Sequence, residues 1–205
     1  HALVVQAGRA DSLEERSHVD LVLRLLHLLC EGHNERLQNF LRHQPASPRS
    51  VDMVSATAAY VDAVTHYIGP GYVNEVTTAM RAIAEFIQNP CRQNQRVLVD
   101  TRLCACANEI LELKPDHVPA HVLAVSHSVM GPVDYGKAIN RLKAATATAL
   151  LSLLECVDQS YIPERMLASL DANQLIDNMN QLLQRYNPAL LRRLLEQHEE
   201  GLITL

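Results

Sequence analysis

The sequence predicts an all-α fold, either an armadillo-like helical repeat (an α-solenoid) or an irregular bundle of about eight to ten helices. Apolar residues recur at helical spacing along most of the chain, and no strand-like alternation persists. Pro and Gly breaks divide the 205 residues into segments of helix length. The apolar content of 48% rests on Leu, Val and Ala, with no Trp and two Phe. No repeat of fixed period is found, so both architectures stay open.

We expect residues 1–205 to form a single all-helical domain, because a chain of this length can bury one sizeable core. Residues 1–11 lack periodicity and are expected to be a loosely ordered lead-in. The chain starts at His1 without a signal-peptide pattern, which suggests a piece of a longer protein.

The first helix is predicted over Leu13–Cys30, where Ser12 and Glu15 form a capping box. From residue 19 to residue 30 the polar side chains are confined to one narrow stripe: Asp20, Arg24 and His27. A surface helix has a wide polar face, so we expect this helix to be central, with neighbours on most sides. Gly32 ends it, because glycine readily adopts the left-handed conformation found after helix ends.

A shorter return helix is predicted after this break, with Asn34 as its cap. Its inward residues are expected to be Leu37, Phe40 and Leu41. Further helices are predicted after a cap at Ser50, in a second segment up to residue 89, and at 95–99, 103–113, 118–129 and 133–157. A short turn is expected near Pro163. The last two helices are predicted at 172–186, with Asp171 as cap, and at 188–200. The expected inward rows of the three main helices are Val54, Ala58, Val61, Val64 and Ile68; Val76, Met80, Ile83 and Ile87; and Tyr135, Ile139, Leu142, Leu150, Leu153 and Val157.

Composition and motifs argue against several function classes. The net charge is −5 without a basic patch, which argues against nucleic acid as a partner. No apolar run reaches the roughly 18–20 residues that span a bilayer, so direct membrane insertion is not expected. No GxSxG, phosphate-loop or HExxH motif is present, so we do not expect an enzyme. Five cysteines without a disulfide-framework spacing predict free thiols.

The positions of acidic residues in the predicted helices give two candidate site residues, Glu31 and Glu85. Each ends a mainly apolar helix, where a carboxylate is disfavoured by roughly 0.3–1 kcal/mol because the exposed carbonyls are partly negative. Two such ends brought together would offer carboxylate and carbonyl oxygens to a cation, and calcium prefers oxygen-rich, flexible coordination. Gln88 adds an amide oxygen three residues after Glu85, and His33 lies just beyond the break after Glu31.

A purely structural interpretation fits the same acids. Glu31 continues the polar stripe of the first helix and would then face water. Arg81 lies four residues before Glu85 and would pair with it on an exposed helix surface. The residues alone favour this interpretation, because exposed glutamates are common.

Two blocks of sequence carry a resemblance to a known family. LLCEGHNERLQNFLR, residues 28–42, and AEFIQNPCRQNQ, residues 84–95, resemble in the same order two signature blocks of the RIH-associated domain of inositol trisphosphate receptors and ryanodine receptors. The likeness covers residues 21–94 well. It is thinner over residues 145–175, where it favours the inositol trisphosphate receptors. The chain departs from the family pattern at Gly32, Phe86 and Asn89, and none of these changes removes a liganding group.

The resemblance implies that Glu31 and Glu85 coordinate an activating calcium ion, with His33 and Gln88 in the surroundings of the same site. The two carboxylates are then expected about 4–6 Å apart around the ion. In the family a threonine from the segment after the pore completes the site, and that segment is not in this chain. Calcium binding by the isolated chain is therefore expected to be weak or absent.

The function implied by the resemblance is a cytosolic regulatory domain that couples the cytosolic assembly of an intracellular calcium-release channel to its pore. Such a domain lies on the cytoplasmic face of the endoplasmic reticulum membrane. Its expected partners are other domains of the same channel chain, especially the C-terminal segment after the pore, within a homotetramer. The alternative is a helical scaffold domain that binds a partner protein or peptide without any ion.

Overall fold

The computed structural model describes residues 13–118, 120–123, 132–155 and 161–186. Within these ranges the chain is predominantly helical and contains no strand, which confirms the predicted all-α class. The helices are α1 Leu13–Cys30, α2 Glu35–Arg42, α3 Met53–Thr65, α4 Val73–Ile87, α5 Arg92–Val99, α6 Leu103–Glu112, α7 Ala120–Leu123, α8 Pro132–Leu153, α9 Tyr161–Ser169 and α10 Ala172–Tyr186. No helix among the described residues combines the length and apolar character needed to cross a membrane.

The chain divides into two compact units, His1–Leu170 and Asp171–Leu205. The first unit contains α1 to α9. The second contains α10, and its predicted cap is confirmed, because Oδ1 of Asp171 accepts hydrogen bonds from the backbone N–H groups of Asn173 and Gln174 at 2.9 and 3.3 Å. The prediction of one domain over residues 1–205 stays a prediction.

The central helix of the first unit is α4. It contacts α1, α2, α3, α5 and α8. Its predicted inward row is confirmed, since each member is fully buried: Val76, Met80, Ile83 and Ile87. Small residues on its other faces are buried as well and let neighbouring helices approach closely: Ala79, Ala82 and Ala84.

The bounds predicted for α1 are confirmed, but the expectation that α1 is central is wrong. One stripe of the helix is buried: Leu23, Leu26 and Cys30. A second apolar row is 37–61% exposed: Leu21, Val22, Leu25, Leu28 and Leu29. The main contacts of α1 are with α4 and α2, so one of its two apolar faces is covered and the helix lies at the edge of the unit.

The inward rows predicted for α3 and α8 are confirmed. Each described member is buried: Val54, Ala58, Val61, Val64 and Ile68 in and after α3, and Tyr135, Ile139, Leu142, Leu150 and Leu153 in α8. Several predicted features lie outside the described residues: the lead-in 1–11, Ser12, most of 118–129, Cys156, Val157 and the helix 188–200.

Two predicted local features of this region are wrong. Phe40 is 50% exposed, because the buried face of α2 carries Leu41 together with Gln38, three residues earlier. The cap of α3 is Asp52, whose Oδ1 accepts from the backbone N of Ser55 at 2.9 Å. Ser50 instead receives a hydrogen bond from the backbone N of Gln44.

The segment around Pro163 is also helical, although a turn was expected there. Pro163 is the third residue of α9 Tyr161–Ser169. The first turn of a helix tolerates proline, because its backbone N–H groups have no partner within the helix.

Candidate functional site

The sharp break after α1 is built from two residues in the left-handed conformation, Gly32 with φ 77° and His33 with φ 60°. Asn34 follows, and its Oδ1 accepts a hydrogen bond from the backbone N of Leu37 at 3.2 Å, which confirms it as the cap of α2. Glu31 and His33 are both exposed in this turn. The break therefore presents two of the predicted site residues at the surface.

The C-terminal turn of α4 is held by two buried side-chain amides. Nε2 of Gln38 donates to the carbonyl oxygens of Glu85 at 2.7 Å and of Gln88 at 2.9 Å. Nδ2 of Asn94 donates to the carbonyl oxygen of Phe86 at 2.9 Å. Both amide residues are fully buried.

The remaining carbonyls of this turn are occupied by backbone donors. The N–H of Gln88 binds the carbonyl of Ala84, and the N–H of Cys91 binds the carbonyl of Ile87, each at 3.0 Å. All five carbonyls from residue 84 to residue 88 thus accept a hydrogen bond. Each of these carbonyls therefore has one acceptor position filled by a donor of this chain, and the expectation that carbonyl oxygens help to hold a cation stays a prediction.

The two sequence blocks that carry the family resemblance bind each other. Asn94 donates from Nδ2 to the carbonyl of Gln38 at 3.0 Å, and its Oδ1 accepts from Nε of Arg42 at 3.1 Å. Arg42 also donates from Nη2 to Oε1 of Gln93. These bonds join α2 to the start of α5, immediately after the turn that carries Glu85.

One carboxylate oxygen of Glu85 has no role in the described part of the fold. Its residue is partly buried, and Oε2 is buried without a hydrogen-bond partner among the described residues. Arg81 is exposed, and the described part of the chain shows no ion pair between it and Glu85. Burial, reinforced by the charges of Glu85 and Cys91, raises the pKa of the Cys30 thiol to about 12.

Helices α1 and α4 run in the same direction. Near their middle, Oγ1 of Thr78 donates to Oδ1 of Asp20 at 2.9 Å. Further along both helices, the carbonyl of Glu85 accepts a hydrogen bond at 2.7 Å from Gln38 in α2, the helix that begins just after the end of α1. Glu31 and Glu85 are therefore at the same end of two neighbouring helices, while the sharing of one ion stays a prediction.

A third acid reaches this end of the unit. Asn89 adopts the left-handed conformation with φ 62° after the last turn of α4, and its backbone N–H donates to Oε2 of Glu155 at 3.0 Å. Glu155 follows the C-terminal end of α8. Three helices thus end close together, and each end carries partial negative charge.

The acids at this end do not form a closed metal cluster. Across the ranges that the structure describes, no group of three or more His, Cys, Asp or Glu side chains could hold a metal ion. The structure places Glu31, Glu85, Gln38 and Gln88 at this end of the unit. Their coordination of a common cation stays a prediction.

Prediction from the sequence missed Gln38, Asn94 and Glu155. The two amides belong to the quoted motif blocks, and Gln38 shares a helix face with Leu41, so an uncharged polar residue on an apolar face was the available signal. Glu155 had no local signal, because its partner is 66 residues away in the chain.

Two comparisons with known proteins agree with the sequence blocks. Residues 13–111 match the family described as RyR and IP3R Homology associated. The chain is also similar to the inositol 1,4,5-trisphosphate receptor itr-1 of Caenorhabditis elegans, with 33% identity over 116 residues. That match covers 49% of this chain and 4% of the relative, so the chain spans a small part of the relative's length.

Proposed function

Over residues 13–111 the chain belongs to the family of RyR and IP3R homology associated domains, and from this membership we propose that it is a regulatory coupling domain of an intracellular calcium-release channel. In this proposal the chain is not an enzyme. It acts within a homotetrameric channel on the cytoplasmic face of the endoplasmic reticulum membrane. Its partners are other domains of the same channel chain, especially the C-terminal segment after the pore.

The calcium ligands in this proposal are Glu31 and Glu85, with His33 and Gln88 in the surroundings of the ion. The observation that carries the proposal is the buried, unpartnered Oε2 of Glu85. A buried carboxylate oxygen without a donor is unfavourable, and a cation beside it would remove that penalty. Calcium accepts carboxylate and amide oxygens in flexible geometries, so the residues present fit this ion.

The attraction for the cation comes from carboxylates rather than from helix carbonyls. The carbonyls at the end of α4 already accept hydrogen bonds from Gln38 and Asn94. The carboxylates of Glu31 and Glu85 remain, and both lie at helix ends whose dipoles oppose their charge. A bound calcium ion would offset the negative charge of these carboxylates and of the helix ends that carry them.

The proposed mechanism is linkage between ion binding and channel state. Calcium prefers six to eight oxygen ligands, so two acids with neutral oxygens leave the shell incomplete and bind weakly. A further ligand from the segment after the pore would complete the shell in one arrangement of the channel. An ion that binds that arrangement better shifts the population towards it.

The test replaces Glu31 and Glu85 together by Gln in the full-length channel. Calcium activation is expected to shift to higher calcium concentrations, while the channel still assembles and opens. Glu112→Gln, which changes an exposed acid at the end of α6, is the control and leaves activation unchanged. An activation curve that the double replacement does not move would rule out this function for the two acids.

The exposed apolar row of α1 favours the alternative function, a helical scaffold domain that binds a partner protein or peptide without any ion. Its members repeat at three- and four-residue intervals, the spacing with which one helix packs on another. Under this alternative, replacing Leu25 and Leu28 by Ser abolishes channel function and the acid replacements do not. The two sets of variants therefore discriminate the two functions.

A further inference from the structure

We propose that Gln38 is the positioning residue of the cation site, an inference that rests on the proposed function. Gln38 lies in α2 and is fully buried. Its amide nitrogen binds the backbone at two residues at once, Glu85 at 2.7 Å and Gln88 at 2.9 Å. These are the two residues of α4 and its cap that carry the proposed site side chains. A single side chain therefore fixes the turn from which both project.

The contact of Gln38 with Glu85 also connects the two parts of the proposed site, because α2 begins just after the break that carries Glu31. α2 begins at Glu35, four residues after Glu31, and Asn34 caps it through the backbone of Leu37. The break that carries Glu31 is therefore attached directly to the helix that carries Gln38. Because Gln38 binds the backbone of Glu85, this amide is one of the contacts that set the separation of the two acids.

The orientation of the Gln38 amide is also fixed. Each proton of its amide nitrogen has one carbonyl acceptor, so rotation of the group would lose both hydrogen bonds. Its Oε1 is consequently held in a buried position without a donor among the described residues. Glu85, whose carbonyl Gln38 binds, also has a buried side-chain oxygen without a donor among the described residues. Two residues in direct contact thus each carry an unpartnered acceptor, which is where a cation would be favourable.

Gln95 provides a matched comparison within the same chain. It is also fully buried, its Nε2 donates to the carbonyl of Ser152 at 2.8 Å, and its Oε1 is unpartnered in the described structure. The side chain of Ser152 donates to the carbonyl of Thr148 and carries no charge. Gln95 thus has the same chemistry but binds the backbone of a residue that is not a proposed ligand, so its loss serves as the stability control.

The experiment measures binding of Tb³⁺, an oxygen-seeking probe of calcium sites, by luminescence of the whole chain. Luminescence lifetimes in H₂O and D₂O report how many waters stay on the bound ion. Gln38→Met is expected to weaken Tb³⁺ binding by about tenfold or more, as losses of outer-shell support do, and to leave more waters on the ion. Gln95→Met is expected to leave the affinity and the water count unchanged. Circular dichroism confirms that each variant is folded at the temperature of measurement.

A second variant covers the case in which Gln38→Met does not fold. Gln38→Asn keeps a polar amide but is one methylene shorter and cannot span both carbonyls, so a smaller loss of affinity is expected. If wild type binds Tb³⁺ in a Glu85-dependent manner and the Gln38 variants behave like Gln95→Met, the positioning role is wrong and the proposed function stands. If wild type shows no binding that Glu85→Gln abolishes, the positioning role fails, whereas the proposed function is decided separately by the calcium activation of the full-length channel.

Discussion

Asn94→Ala tests whether buried amides hold the two sequence blocks together. Asn94 is fully buried at the start of α5. Its Nδ2 donates to the carbonyls of Gln38 at 3.0 Å and Phe86 at 2.9 Å, and its Oδ1 accepts from Arg42 at 3.1 Å. No other side chain among those described links α2, the last turn of α4 and α5 in this way. Its removal should therefore loosen all three.

The expected loss follows from these three hydrogen bonds. Each contributes a net stabilisation of about 1 kcal/mol, and a buried acceptor left without a donor costs about 1–3 kcal/mol. Two backbone carbonyls, those of Gln38 and Phe86, lose a donor in Asn94→Ala. Because the lost bonds and the new unsatisfied groups overlap, we expect a decrease of about 3–5 kcal/mol in the free energy of unfolding. That is a large part of the 5–15 kcal/mol typical of a domain.

The assay is urea unfolding followed by circular dichroism, with Asn74→Ala as the matched control. Asn74 is exposed in α4, and Ala is the better helix former, so the control is expected to be neutral or slightly stabilising. A loss below about 1 kcal/mol for Asn94→Ala would refute the reasoning, since a single neutral hydrogen bond can contribute that much by itself.

Two further predictions concern pH and a helix glycine. Burial raises the pKa of the Cys30 and Cys106 thiols to about 12. Their contribution to the stability of the folded state is fully present below pH 9, the ordinary pKa of a thiol, and is lost as the pH rises towards 12. Burial lowers the pKa of Lys143 to about 8, so this residue makes the free energy of unfolding rise with pH until its ordinary pKa of 10.5 is reached. The free energy of unfolding should therefore fall above about pH 10.5, and urea titrations showing a constant value there would contradict this. Gly136→Ala should lower the melting temperature, because the new Cβ would lie 2.9 Å from the carbonyl oxygen of Pro115; an increase, as is usual inside helices, would refute it.

The helical rows of the core were predictable from periodicity alone. Val76, Met80, Ile83 and Ile87 recur at intervals of three and four, and such spacing has one structural solution, a helix with one buried stripe. The break at Gly32 was also predictable, because a glycine directly after an apolar helical segment is the usual signal for a left-handed residue that ends the helix.

The choice of central helix was not predictable in this way. On α1 the buried stripe Leu23, Leu26 and Cys30 and the exposed row through Leu21, Leu25 and Leu28 have the same helical spacing. Periodicity shows that both faces are apolar but not which face a neighbour covers. That depends on the small residues of α4, which allow several helices to pack around it.

Glu31 and Glu85 were candidates because a carboxylate at the end of an apolar helix opposes the dipole. The residues alone favoured a purely structural interpretation, and the role of these acids as ion ligands stays a prediction. The residues that support this end of the unit could not be predicted at all. The partners of Gln38 lie 47 and 50 residues further along the chain, so only the folded structure brings them together. The same holds for Glu155 and Asn89.

The two sequence blocks thus contain residues of two kinds, which differ in whether their loss is expected to destabilise the fold. Gln38 and Asn94 use their polar atoms to bind the backbone of the other block, so their loss should destabilise the fold. Glu85 has a buried oxygen that binds nothing in the described structure, and Glu31 is exposed. Under the proposed function, a carboxylate oxygen that is buried without a donor, within a block interlocked by buried amides, is there for the ion that it binds rather than for the fold.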